Sequence, residues 1–308
     1  PFLMYCALRQ YLQGRGVVTP ALGVMLLANG LNALGNWWLI WGGLGIPALG
    51  LHGAAIATAV TRSFLFVALV VWIARARLHR GAWIRPSWAT ITAPGLGRVF
   101  ALGLPIGIQL ALEMWAFQAT TLFAGRLGET ELAAHVAVLN LSSLSFMVPL
   151  GISIGAATRV GHLLGRGDRA AARRSAVIAL VLGASVMAIS AASFAIGRHA
   201  LPRFYTDDAA VLAAAASILP IAAAFQLFDG TQVVGGGVLR GMGSPGPAAL
   251  FNAIGYYVLA LPVGAWLTFS VGLGLAGLWW GLCLGLATVA AALVFWIASP
   301  RADWQRRA

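Results

Sequence analysis

The sequence contains no lysine, and only eight of its 308 residues are acidic. Charged residues make up 9% of the chain, against about 25% in an ordinary soluble domain. Such scarcity excludes a water-soluble globular protein of this size. Cysteine is nearly absent as well. Cys6 and Cys283 stand alone in apolar segments far apart, which leaves no disulfide framework and no CxxC metal or redox pair. HExxH does not occur, and Gly235-Gly236-Gly237 lacks the GK[ST] ending of a phosphate loop. The chain therefore does not read as an enzyme or a nucleotide binder, and no cofactor is expected. His135 and His162 have no companions at metal-ligand spacing and are expected at the membrane interface.

What the chain has instead is apolar length. Hydrophobic residues make up 60% of it, and its mean hydropathy is +0.86. Runs of about 18 or more apolar residues recur from end to end, the signature of helical membrane spans. The fold class predicted is an all-α polytopic membrane protein, a parallel-repeat helical bundle. Eight full spans are read at 21–41, 54–73, 96–123, 132–156, 171–196, 211–238, 248–269 and 275–297, with a partial span at 1–12. Asp168 is the expected N-cap of the span that follows it, and Thr206 or Asp207 of the next. Gly151 and Gly155 form a GxxxG, expected to mark close helix packing.

All 20 basic residues are arginine, and they sit in the gaps between spans rather than in a nucleic-acid footprint. With the first gap on the cytoplasmic side, 16 arginines fall inside and three outside (Arg126, Arg198 and Arg203), while Arg62 lies within a span. The positive-inside rule then places the C-terminus in the cytoplasm. The same orientation puts Trp37, Trp38, Trp41, Trp279 and Trp280 in an outer aromatic belt.

The chain also repeats itself. Leu8-Arg9, then Gly14, Gly16 and Pro20, matches Leu239-Arg240, then Gly241, Gly243 and Pro247. Each copy is followed by an apolar span, a Gly-rich turn and a further span, in the same orientation. The expected organisation is the end of an N-terminal lobe at 1–80, an inter-lobe linker at 81–97, a six-helix C-terminal lobe at 98–300 and a cytoplasmic tail at 301–308. By this arithmetic three helices and most of a fourth are expected upstream of Pro1, which opens inside an apolar run.

Two acids stand out. Glu113 and Asp229 alone lie within spans; the other six fall in gaps or at the tail. A carboxylate at bilayer depth costs roughly 2.5–3.5 kcal/mol even on lenient scales, so its presence points to function. Glu113 shares a helix face with Gln109 and Thr120, and Asp229 is flanked at three residues by Gln226 and Gln232. The two acids are expected to converge in one cavity. There they would carry a proton, or hold Na+ or a cationic compound, in competition. Asn140, Ser142, Ser143 and Ser145 either line that cavity or join helices. Phe117 and Phe225 either pack or offer ring faces to a cation.

Three stretches carry a family resemblance. GLPIGIQLALEMWAF from Gly103, the segment from Leu127 to Gly165 and FQLFDGTQVVGGGVLRGMG from Phe225 resemble the MATE transporters, the multidrug and toxic compound extrusion family. The resemblance covers the chain as the last two-thirds of such a protein. It implies a two-lobed, twelve-helix, monomeric exporter in the bacterial plasma membrane, exchanging small organic, often cationic, compounds for H+ or Na+. It also implies that Glu113 and Asp229 form the coupling-cation site of the C-terminal lobe, with no other metal. The tentative substrate cavity comprises Gln109, Phe117, Asn140, Ser143, Phe225, Gln226 and Gln232. An alternative is a lipid or lipid-linked oligosaccharide flippase of a related branch, which calls for a basic residue in the cavity; Arg62 alone qualifies on the sequence.

Overall fold

The computed structural model describes residues 1–43, 47–81, 83, 93–299 and 304. Among them the chain is helical throughout, with no extended strand. This follows from the apolar solvent: a spanning segment satisfies its backbone internally, and only a helix does so within one segment. Two compact units are resolved, Pro1–Ile91 and Thr92–Ala308. The expected linker at 81–97 lies largely outside the described residues, as does the tail at 301–308 apart from Trp304.

The first unit holds α1 (Phe2–Gly14), α2 (Thr19–Trp41) and α3 (Gly50–Arg75). Both α1 and α2 pack on α3, around a core of Tyr5, Leu12, Val24, Leu65, Leu69 and Ile73. The second unit holds α4 (Ala93–Leu127), α5 (Glu129–Gly165), α6 (Arg169–Ile196), α7 (Ala209–Gly241), α8 (Gly246–Ser270) and α9 (Leu275–Ala298). Among the described residues seven helices are long and apolar enough to cross a membrane: α3 through α9. Helix α2 has the length, 23 residues, but Asn29, Asn32 and Asn36 dilute its apolar character. Asn36 donates to Asn32, and Asn32 to Thr61 on α3, so this polar row is spent on joining two helices.

The helix boundaries have local causes. Asp168 caps α6 by accepting from the Ala171 amide at 2.9 Å, as the sequence predicts. Helix α7 starts one residue beyond the expectation. Asp208 is its cap, accepting from the amides of Ala210 and Val211 at 2.8 and 3.1 Å, while Thr206 instead takes the Asp208 amide. The reversal from α4 to α5 is made by Gly128 alone, at φ 148°, a conformation open only to glycine. In α8, Pro262 lies between π segments at Ala253–Ala260 and Trp266–Ser270. Proline removes a backbone donor, and the wider turns re-route the ladder around it.

Helix α7 is the most enclosed span and α4 the least. α7 is packed by α5, α6 and α9, and α9 in turn by α8. Small residues set these crossings. A Cβ on Gly237 would stand 2.5 Å from the Ser153 carbonyl oxygen, and one on Gly241 2.6 Å from that of Ala157. On the other side of the bundle, a Cβ on Gly281 would fall 2.6 Å from the Ala260 oxygen, and Gly285 abuts Gly255. The GxxxG of Gly151 and Gly155 plays no such part: among the described residues nothing lies within 4 Å of a Cβ on either. The seam of α5 runs instead through Ser153 and Ala157, half a turn round.

The internal repeat is visible in the helix boundaries. The end of α1 and the starts of α2 and α3 recur at the end of α7 and the starts of α8 and α9, at spacings of 227, 227 and 225 residues. The tight crossing recurs too, with Gly53 of α3 against the Leu39 carbonyl of α2, and Gly277 of α9 against Leu267 and Thr268 of α8.

Candidate functional site

The site is built where α4 and α7 run antiparallel. Gln109 meets Gly236, Glu113 meets Gln232, and Phe117 meets Phe225. Long side chains make these meetings rather than close backbone approach. Gln109 is 2% exposed. Its Nε2 lies 3.1 Å from where a Cβ on Gly236 would stand, so the glycine makes room for the amide.

Glu113 Oε2 accepts from Gln232 Nε2 at 3.4 Å, and the same nitrogen donates to Asn252 Oδ1 of α8 at 3.0 Å. Asn252 is oriented in turn by its own donation to the Ala248 carbonyl at 2.8 Å. That bond turns Oδ1 toward Gln232, and Gln232 therefore presents N–H rather than oxygen to the acid. Asp229 is buried three residues before Gln232 on α7, and its charge interacts with that of Glu113. Tyr256 of α8, fully buried, lies within electrostatic reach of both acids. Tyr257 ties α8 to α4 by donating to the Leu112 carbonyl at 3.2 Å.

Glu113 and Asp229 thus stand on facing helices, with Gln232 bonded to the first acid and three residues from the second. Gln226 is fully buried one turn further along α7, and neither of its amide atoms has a partner among the described residues. The same is true of Gln109 Oε1, Gln232 Oε1 and the Tyr256 hydroxyl. Buried polar atoms without partners are rare and call for water or an ion. Two carboxylates and amide oxygens make a hard, oxygen-only donor set, suited to a proton or an alkali cation rather than a soft metal. Among the described residues no group of three or more His, Cys, Asp or Glu forms a metal cluster.

Other candidate residues are placed differently. Phe117 and Phe225 belong to an aromatic chain, edge to face at 6.1 Å; Phe117 also packs on Tyr256 at 6.0 Å and Phe225 on Trp279 at 5.8 Å. Phe225 is 2% exposed, so packing accounts for its ring. Asn140 and Ser143 lie on the exposed face of α5, donating to the Val136 and Leu139 carbonyls of their own helix. No contact joins them to the acids. Ser145 accepts from Ser190 of α6 at 2.9 Å, a helix-joining role.

Two side chains expected near the membrane interface pack inside the bundle. His135 is fully buried; its Nε2 is 3.2 Å from Thr121 Oγ1, and its ring packs on Trp279 at 5.7 Å. Trp279 is likewise fully buried, while its neighbour Trp280 is exposed. Adjacent tryptophans on a helix point about 100° apart, so one entered the core. Asn252, Tyr256 and Arg240 are site neighbours that the sequence reading passed over. For Asn252 a signal existed, since it is the one amide in an otherwise apolar span.

Comparison with known proteins gives the family and the fold. A profile of the MatE family matches residues 105–266, the stretch that contains both acids, Gln232, Asn252 and Tyr256. The chain is 40% identical to the multidrug resistance protein NorM of Burkholderia vietnamiensis, over 96% of its own length and 66% of that protein's. It is 40% identical to a probable multidrug resistance protein NorM of Burkholderia mallei, over 92% and 61%. It thus spans just under two-thirds of the length of these relatives. Among solved structures, the eukaryotic MATE transporter AtDTX14 superposes with a TM-score of 0.87 at 23% identity, covering 97% of this chain and 65% of that one. The MATE transporter ClbM, in complex with Rb+, gives 0.77 at 18% identity, covering 95% and 64%. A profile match across more than half the sequence and the same helical fold lead to one assignment: the chain belongs to the MatE family.

Proposed function

We propose that this protein is a secondary active antiporter that exports small organic compounds, often cationic, in exchange for H+ or Na+. The observation that carries the reading is that Glu113 of α4 accepts from Gln232 of α7, three residues from the buried Asp229, which brings two acids to facing helices of an apolar bundle. The names of the relatives, multidrug resistance proteins, favour organic substrates. Two neighbouring carboxylates repel when both are charged, which gives a mobile cation its binding energy. A cationic substrate that occupies the same acids displaces that cation. Exchange then follows from competition at one site, without a separate coupling device. The arginine asymmetry of the loops supports a bacterial inner-membrane protein with its C-terminus in the cytoplasm.

The test is made on the full-length protein reconstituted into vesicles. Ethidium movement is followed under an imposed pH or Na+ gradient, for wild type and Glu113→Gln. Gradient-driven movement that the substitution abolishes supports antiport, and the effective gradient identifies the ion. Movement that survives Glu113→Gln returns the acid to a structural role. A folded wild-type protein that moves no ethidium under either gradient refutes the antiport reading.

A further inference from the structure

Arg240 sits in the last turn of α7, where the arginine count reads it as a topology signal. Its side chain does not leave for the membrane surface. Nη2 donates to Ser153 Oγ of α5 at 2.9 Å, and that hydroxyl donates to the Val233 carbonyl at 2.6 Å. Nη1 lies 3.6 Å from where a Cβ on Gly236 would stand, over the same bare patch that Gln109 Nε2 approaches at 3.1 Å. The guanidinium therefore turns back along α7 toward the bilayer interior. It reaches the level of Gln109, one helical turn from Glu113, and interacts electrostatically with that acid. Among the described residues Arg240 has no carboxylate in direct contact.

Resting on the antiport reading, we infer that Arg240 is a fixed internal counter-ion of the Glu113–Asp229 site, leaving one mobile positive charge for it to bind per cycle. Among the described residues the charges that face Glu113 are Asp229 and Arg240 from α7, with the phenols Tyr256 and Tyr257 from α8. Two ionised acids and one guanidinium sum to a single negative charge. One proton, one alkali ion or one monocationic substrate then neutralises the site, so each displaces the other in equal number. Direct contact with Glu113 would make the arginine a permanent occupant. Held one turn away by Ser153, it lowers the cost of the empty site without filling it. An intramembrane arginine is retained where it has such a partner. Gln109, with its unpartnered Oε1 between the two charges, is placed to relay the interaction.

The experiment compares Arg240→Gln, Arg240→Lys and Ser153→Ala in the full-length protein, reading ethidium efflux against the concentration of the driving cation, H+ or Na+. Without the fixed charge the first mobile cation binds more tightly, so the half-saturating concentration in Arg240→Gln falls by roughly tenfold, a size ordinary for coupled sites. Its concentration dependence also steepens, because a second cation is then needed. Arg240→Lys, which keeps the charge, stays within about twofold of wild type on the same scale, whereas Ser153→Ala, which frees the guanidinium to reach Glu113, raises the half-saturating concentration. An unchanged half-saturating concentration in Arg240→Gln overturns the inference, as does a Lys or Ser153→Ala variant that behaves like it. The pairing is also read without transport, from a melting cycle of Arg240→Gln, Glu113→Gln and the double variant. Non-additivity supports it and additivity overturns it. A wild type that moves no ethidium refutes antiport alone, because the melting cycle still decides on Arg240. Should Arg240→Gln fail to fold, rescue by Glu113→Gln supports the pairing and continued misfolding overturns it.

Discussion

The crossing of α5 and α7 at Gly237 gives a sharp test of the packing. An alanine there places its Cβ 2.5 Å from the Ser153 carbonyl oxygen and 3.0 Å from its carbonyl carbon. Ordinary contact is about 3.5–4.0 Å. Backbone atoms of a packed helix do not swing aside, so α5 and α7 must separate by about 1 Å. Overpacking of this kind costs roughly 1–3 kcal/mol. Glycine-to-alanine in a helix also returns about 0.8–1.0 kcal/mol of intrinsic preference, which masks part of the cost. Gly151→Ala supplies the reference: it lies on the same bundle, within a helix, with open space around its Cβ. The assay is thermal unfolding of the purified full-length protein in detergent. Gly237→Ala is expected to melt below wild type and Gly151→Ala at or above it. The separation also displaces Ser153, hence Arg240, so coupling suffers with stability. Equal melting of the two variants would refute the reasoning, and a less stable Gly151→Ala would restore the GxxxG as the packing seam.

Other consequences follow from named contacts. Gln232→Ala removes the amide shared between Glu113 and Asn252. A hydrogen bond to a charged group contributes about 1.5–3 kcal/mol, so the variant is expected to change the half-saturating concentration of the driving cation by about tenfold or more, read in the vesicle assay. Asp208→Ala removes the cap that takes two amides of α7, at a cost of about 1 kcal/mol. Asp207→Ala, one residue away, leaves the melting midpoint where it is. His135→Ala opens a void against Trp279 and removes the ring from Thr121, which keeps its bond to the Phe117 carbonyl. It is expected to lower the melting midpoint although the residue lies outside the acid site.

How far the site was legible depended on the rarity of its members. Glu113 and Asp229 are conspicuous because a charge in an apolar run has no bland explanation, and the glutamines around them share their faces by simple periodicity. Asn140 and Ser143 were read into the cavity by the same polarity. Their side chains are exposed among the described residues and donate to the backbone of their own helix. Arg240 was hidden for the opposite reason. It stands at a helix end, where an arginine is the normal sign of the cytoplasmic side, and only its bond to Ser153 shows that it turns inward.

The sequence by itself determined the helical membrane class, the approximate spans, the repeat and the two acids, because these follow from composition, length and period. The family was legible from ordered motifs. What required the tertiary structure was every question of facing. Helical periodicity says which residues share a side but not what that side meets. Whether Gly151 or Gly237 is the tight crossing, whether Trp279 or Trp280 enters the core, and whether Arg240 points to water or to Glu113 depend on rotations of about 100° per residue. In a chain that is apolar on all sides, hydrophobicity does not choose among those rotations; backbone approach and the pairing of a few buried polar groups do.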